Sequence, residues 1–160
     1  MRFSKFLLHI LCTILIVSCS KDDNVESPDP YILEAIIGSW AYDTVTINGD
    51  FYVYQHTEGC TKDLFQFYNE EGKEFDFEED YISNCNNCAP CAISSTILRW
   101  ELIGNKVNLY FGEQFITQYE ILEVNQNIIR YKRYFDYDED GNEDEIEITG
   151  VPYDPYLEFD

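Results

Sequence analysis

Two patterns of residues in this chain could do chemistry, and the first is acidic. Asp136, Asp138, Asp140, Asn142, Asp144 and Glu147 take the first, third, fifth, seventh, ninth and twelfth places of one stretch, with Gly141 at the sixth. That is the spacing of a twelve-residue calcium loop, where the glycine makes the sharp turn. Asp136, Asp138 and Asp140 would give side-chain oxygens, and Asn142 its carbonyl. Asp144 would act through a water, and Glu147 would close the shell with both carboxylate oxygens. The same residues also read as a solvated hairpin turn at Asp140-Gly141. Eight of the twelve residues are acidic, so chance meets the pattern readily. Glu143 stands where such loops favour an apolar residue, and both flanks read as strands. Calcium is therefore one reading of the hairpin and a bare turn is the other.

The second pattern is sulfur. Of six cysteines, Cys60, Cys85, Cys88 and Cys91 fall in the body of the chain. Four thiolates can hold a tetrahedral zinc, but Cys85-x-x-Cys88-x-x-Cys91 packs three of them in a register that strains the tetrahedron. Cys88-Ala89-Pro90-Cys91 lacks the strand-to-helix setting of a redox pair. No histidine follows Cys91, which excludes covalent haem attachment. Nothing else points to catalysis. His56, at the end of a strand, reads as a surface residue. There is no Gly-x-Ser-x-Gly elbow, no phosphate-cradling glycine loop and no metal-type histidine pair. The expectation is a protein that is not an enzyme.

The N-terminus says where this chemistry takes place. Arg2 and Lys5 precede an apolar run from Phe6 to Val17, too short to cross a bilayer comfortably and laid out as a secretory signal. The run ends at Ile16-Val17-Ser18-Cys19, which resembles the lipobox of bacterial lipoproteins. The resemblance implies that residues 1–18 are removed and that the Cys19 sulfur carries a diacylglyceryl group, with the new amine acylated by a chain such as palmitate. Ser20-Lys21-Asp22-Asp23 resembles the tag that sends some Bacteroidota lipoproteins to the outer face of the outer membrane. The same four residues also serve as a plain solvated tether. Residues 19–30, with Pro28 and Pro30, form the linker to a domain at 31–160.

Loss of Arg2 and Lys5 leaves eight cationic against 31 acidic residues, a net charge of −23. Such a surface repels nucleic acid and anionic headgroups. The 13 Tyr, 11 Phe and 2 Trp supply core material and argue against disorder despite that charge. An exported chain meets an oxidising compartment, so disulfides are the default for the four cysteines. Cys60–Cys85 with Cys88–Cys91 is the favoured pairing, because the first bond would tie the loop before one strand to the loop after its partner. Pairing of Cys60 with Cys88 or Cys91 stays open.

The elements that must position these groups are strands. After a short helical segment at 31–37, hydrophobicity alternates with period two. Thr44–Ile47 and Phe51–Tyr54 meet across Asn48-Gly49. Leu64–Tyr68 and Glu74–Phe77 meet across residues 69–72, with Phe75 and Phe77 on one face. Thr96–Leu102 and Lys106–Phe111 meet across Gly104-Asn105. Phe115–Val124, Ile128–Tyr137 and Glu145–Val151 follow. Short connections without crossover helices exclude a parallel sheet. They predict an antiparallel up-and-down meander of about eight strands, closed into a barrel so that no edge is left.

Gly38-Ser39-Trp40 at the start of the first strand resembles the Gly-x-Trp signature of the lipocalins. The order of elements over roughly residues 31–151 is similar to the lipocalin-like domains of Bacteroidota lipoproteins. The resemblance implies that Trp40 closes the barrel's base and that an arginine from a late strand, Arg133 for preference, packs over its ring. It also implies a small hydrophobic ligand held in the barrel of a monomeric protein anchored to the outer membrane. The alternative is an envelope interaction protein whose barrel is filled by its own side chains. If Cys19 is the lipid acceptor, Cys19→Ser will abolish metabolic labelling with palmitate and release the chain from the membrane fraction.

Overall fold

A computed structural model describes residues 27–83 and 91–155 of the chain. The signal, Cys19 and the first part of the linker lie outside the described residues, as do Cys85 and Cys88. Helix α1 covers Pro30–Ile36 and is followed by nine strands: β1 Gly38–Ile47, β2 Asp50–Val53, β3 Leu64–Phe67, β4 Asp76–Ser83, β5 Ala92–Ile103, β6 Lys106–Phe111, β7 Gln114–Asn125, β8 Ile128–Phe135 and β9 Asp144–Pro152. Every pairing is antiparallel. β9 returns to pair with β1, from Trp40 opposite Pro152 to Ile47 opposite Ile146, and the sheet closes. The circuit β1-β3-β4-β5-β6-β7-β8-β9 is the expected up-and-down barrel of eight strands with a short N-terminal helix.

β2 stands outside that circuit. Ten residues long, β1 offers one edge to two partners: Gly38–Ala41 to β3 and Thr44–Ile47 to β2. Asn48 (φ 50°) and Gly49 (φ 91°) join β1 to β2 in the two-residue turn that requires positive φ twice and therefore favours Asn-Gly.

α1 begins at Asp29, whose carboxylate accepts the Tyr31 N–H at 2.9 Å, with Pro30 at the first helical position. Seven residues are too few to hold a helix alone. Ile36 is fully buried in the barrel's core, with Ile32, Leu33 and Ala35 packed beside it, so α1 plugs one end. At that base Trp40 is buried and its Nε1 donates to the Ile36 carbonyl at 3.0 Å. Phe65, Phe67, Phe77, Trp100, Leu109 and Ile129 fill the lower half, with ring centroids of successive aromatic pairs 5.0 to 6.2 Å apart.

The second hairpin differs from the expectation. β4 starts at Asp76, and Phe75 leaves the strand at φ 60° instead of sharing a face with Phe77. The Phe75 N–H bonds to the Tyr68 carbonyl at 3.1 Å and closes a longer turn. Its ring lies half-exposed over Trp100, at 5.3 Å between centroids, as an outer cover for the base. β5 reaches back to Ala92, well before the expected Thr96, because it pairs with all of β4.

Gly150 on β9 faces inward, against the side chains of Phe65 and Ile129. A Cβ there would lie 2.8 Å from the Phe65 ring and 3.0 Å from Ile129 Cγ2. Gly150→Ala will therefore destabilise the domain by about 1–3 kcal/mol through overpacking, measured as a lower denaturant midpoint at unchanged slope.

Candidate functional site

The alternation that fills the base carries polar residues into the upper half. Tyr42, Tyr81, Tyr119, Tyr131 and Arg133 project from β1, β4, β7 and β8 into a region above Phe65 and Ile129. Near the end opposite α1, a cavity of about 460 Å³ is lined by Tyr42, Val45, Ile47, Ile148 and Ile146 on the β1–β9 side. Tyr52, Val53, Tyr54, Gln55, Tyr81, Arg133, Phe135 and Tyr137 complete its wall and rim. Three rings form one wall: Tyr42 stacks on Tyr54 at 4.9 Å and on Tyr81 at 6.0 Å. Tyr119 and Tyr131 stack at 4.4 Å deeper in. Glu79 points into the same interior and accepts hydrogen bonds from the hydroxyls of Tyr42 and Tyr81.

Arg133 is on β8, but it does not pack over Trp40. Its guanidinium carbon lies 5.1 Å from the Phe135 ring and 5.9 Å from that of Tyr119. Along β9, Trp40 is opposite Pro152 and Arg133 opposite Ile146, so the two are about 20 Å apart at strand spacing. The expected arginine–tryptophan pair is replaced by an arginine within the mouth. Burial disfavours its charge, yet its surroundings (Tyr119, Tyr131, the Glu79 carboxylate and Tyr42) hold its pKa above the ordinary value, and the guanidinium stays cationic.

His56 and Asp63 form the frame beside this wall, which the sequence reading missed for both. The Asp63 N–H donates to His56 Nδ1 at 3.0 Å, and His56 Nε2 therefore carries the proton it donates to the Tyr42 carbonyl at 2.8 Å. His56 is thus a neutral structural link and not a surface residue, although its Nδ1 also lies 3.8 Å from the Asp63 carboxylate. The buried Asp63 accepts the Tyr54 hydroxyl at 3.0 Å and the Ile82 N–H.

The cysteines pair otherwise than favoured. Cys60 bonds to Cys91, with Cα atoms 5.4 Å apart, which rules out both Cys60–Cys85 and Cys88–Cys91. The reason is a loop crossing: Thr57 Oγ1 donates to the Ile82 carbonyl at 2.7 Å, so the segment before β3 lies across the β4 end where β5 begins. The bond also removes two of the four thiolates a zinc site would need. Closing 31 residues, it stabilises the domain by about 3–4 kcal/mol in the chain-entropy view.

The acidic hairpin is brought together only in part. Carboxylate oxygens of Asp136, Asp138 and Asp144 lie within 4.8 Å of one another. Glu147 does not join them. It sits in β9 with its carboxylate 3.3 Å from Arg130 Nε, so the twelfth position of the calcium pattern is spent on an ion pair. Backbone N–H groups take up the rest: Asp136 accepts from Asp140 and Gly141, Asp138 from Asp140, and Asp140 from Asn142. Asp144 accepts from the Tyr137 N–H and the Asn48 side chain, which lowers its pKa. These contacts make the stretch a self-bonded turn tied to the β1–β2 turn.

The chain matches no known protein family, and no curated protein matches it.

Five interior tyrosines are held above their ordinary pKa of 10.0, each chiefly by burial: Tyr42, Tyr54, Tyr81, Tyr119 and Tyr131. Tyr81 is pushed up to about 12, with the Glu79 carboxylate as the second cause. A raised folded value means that the fold holds the neutral phenol. Its contribution is complete below about pH 10 and is lost as pH rises toward 12 and above. Tyrosinate absorbance will therefore show these rings ionising together with barrel opening in alkali, in step with loss of near-ultraviolet circular dichroism.

Proposed function

We propose that the chain is a lipid-anchored binding protein of the cell envelope, with a lipocalin-like barrel that carries a small, largely hydrophobic ligand in its mouth. The anchor rests on the signal and lipobox residues that end at Cys19. The ligand rests on one observation, the cavity of about 460 Å³ walled by aromatic and branched side chains. Its size lies in the range of small-molecule sites, and a few polar groups converge on an otherwise apolar lining, as such sites require. The filled lower half would suit the rival reading, an interaction protein with a solid barrel. That filling stops at the level of Tyr131, and the space above it belongs to the binding reading.

The closed circuit and the helix that plugs it lie within residues 30–152, so the chain from Ser20 to Asp160 keeps the whole domain. This chain will bind the neutral fluorescent probe N-phenyl-1-naphthylamine with one-to-one stoichiometry. Val45→Trp, which fills the cavity from its half-buried wall, will abolish the signal and leave the circular dichroism unchanged. A wild-type chain that fails to bind the probe would remove the basis of the proposal.

A further inference from the structure

β8 carries three cations, and its alternation sorts them. Arg130 and Lys132 face outward and find acids on neighbouring strands. Arg130 lies 3.7 Å from Glu123 and 3.3 Å from Glu147, and Lys132 lies 3.5 Å from Glu145. Arg133, one residue further on, faces inward, and among the described residues no carboxylate comes within 4.0 Å of it. In a chain with 31 acidic residues this is not for want of partners. Glu79, the carboxylate that shares the interior, is engaged by the hydroxyls of Tyr42 and Tyr81. Arg133 Nε is buried without a hydrogen-bond partner, as are the hydroxyl of Tyr131 and Arg130 Nε, but Arg130 Nε faces the Glu147 carboxylate at 3.3 Å and Arg133 Nε faces none. Tyr131 is fully buried, two residues before Arg133 on the same face. A guanidinium held in an apolar wall with an idle N–H is costly unless an anion completes it.

We infer that the ligand of the mouth is an amphipathic monoanion, a carboxylate with an apolar body, whose head group is received by Arg133 and Tyr131. This deepens the binding reading above and rests on it. The guanidinium fork matches two carboxylate oxygens, and Nε–H is one arm of that fork. Tyr131 lies beneath the lining of the cavity, and its buried hydroxyl would be the second, neutral donor to a head group that enters beside Arg133. The rim on the other side of Arg133 is apolar: Phe135, Tyr137, Tyr52 and Val53 line the same cavity and are exposed. The head group therefore points inward and the hydrocarbon outward. Glu79 shares this interior but is engaged by two tyrosine hydroxyls, so Arg133 can receive a single negative charge and a second one is opposed.

The test compares two probes of equal chain length, decanoate and decanol, each displacing N-phenyl-1-naphthylamine from the chain Ser20–Asp160. Decanoate is expected to bind at least about tenfold tighter, the scale of one charge-assisted hydrogen bond. Arg133→Met will erase that preference and leave the decanol affinity in place. Tyr131→Phe, which changes no packing atom but the hydroxyl, will weaken decanoate by about three- to tenfold and decanol not at all. Near-ultraviolet circular dichroism identifies a variant that has lost its fold, in which case the wild-type preference and Tyr131→Phe decide. Decanol binding without preference for the acid, or a preference that survives Arg133→Met, overturns this inference and spares the cavity. Failure of both probes overturns the two together.

Discussion

A sheet that closes on itself can leave no edge unsatisfied, and in this barrel the gap that β2 leaves between β1 and β4 is sealed around one buried aspartate, Asp63. β1 changes partners between Ala41 and Thr44, from β3 to β2, and β4 runs on past the end of β3 with one side open. Both defects are sealed by residues 54–63. The Tyr42 N–H reaches the Asp63 carbonyl, the Tyr42 carbonyl accepts from His56, and the Asp43 carbonyl accepts from the Tyr54 N–H. On the far side the Asp63 carboxylate takes the Ile82 N–H and Thr57 bonds the Ile82 carbonyl. A buried backbone group left unpaired costs as much as a lost hydrogen bond or more. One buried aspartate, its own peptide group and one neutral imidazole thus replace the strand that is missing between β2 and β4. The Cys60–Cys91 bond fixes the same segment to the start of β5 and limits the freedom of the unfolded chain.

The interior divides at the height of Tyr131. Below it, α1 and the tightly spaced rings of Phe65, Phe67, Phe77 and Trp100 occupy the space, and Gly150 is small because the Phe65 ring needs its place. Above it the inward positions turn to tyrosine, glutamate and arginine. Such side chains cannot close the barrel as hydrocarbon does, because each carries a polar atom that needs a partner. Stacked phenols with hydroxyls directed at Glu79 satisfy part of that need and keep the wall upright. The base provides stability, and the mouth is what that stability supports.

How much of this was legible in the sequence follows from what is local. Period-two alternation and the turns at Asn48-Gly49 and Gly104-Asn105 are short-range, and they give the strands and their order. The exclusion of β2 from the circuit is not local. It follows from the length of β1 and from pairing between β1 and β9, which are far apart in the chain. Phe75 alternates correctly with Phe77 yet leaves the strand, because the turn before it takes more residues than the expected 69–72. The disulfide was misassigned for the same reason: its partners are set by how a loop crosses β4, and spacing does not record that. Asp63 and His56 carry no motif, and only the crossing places them where β1 loses its neighbour. The acidic hairpin shows the limit of a spacing pattern from the other side. Glu147 fits a sequence pattern, but its strand directs it to Arg130.

The choice of Arg133 illustrates how resemblance and physics differ as guides. Its parity on β8, shared with Ile129, Tyr131 and Phe135, correctly identifies an inward residue. Its height along the strand then decides what it meets, and six residues of β9 separate it from Trp40. The outward cations of the same strand lie in solvent, where ion pairs with Glu123, Glu145 and Glu147 are worth little and are screened by salt. The inward one is enclosed by rings of low polarity, where the same charge interacts several times more strongly with whatever faces it. A surface of 31 acids keeps anions at a distance on average. It also makes an enclosed guanidinium that no carboxylate among the described residues pairs with the place in the barrel where a negative group that has reached the mouth gains most by entering.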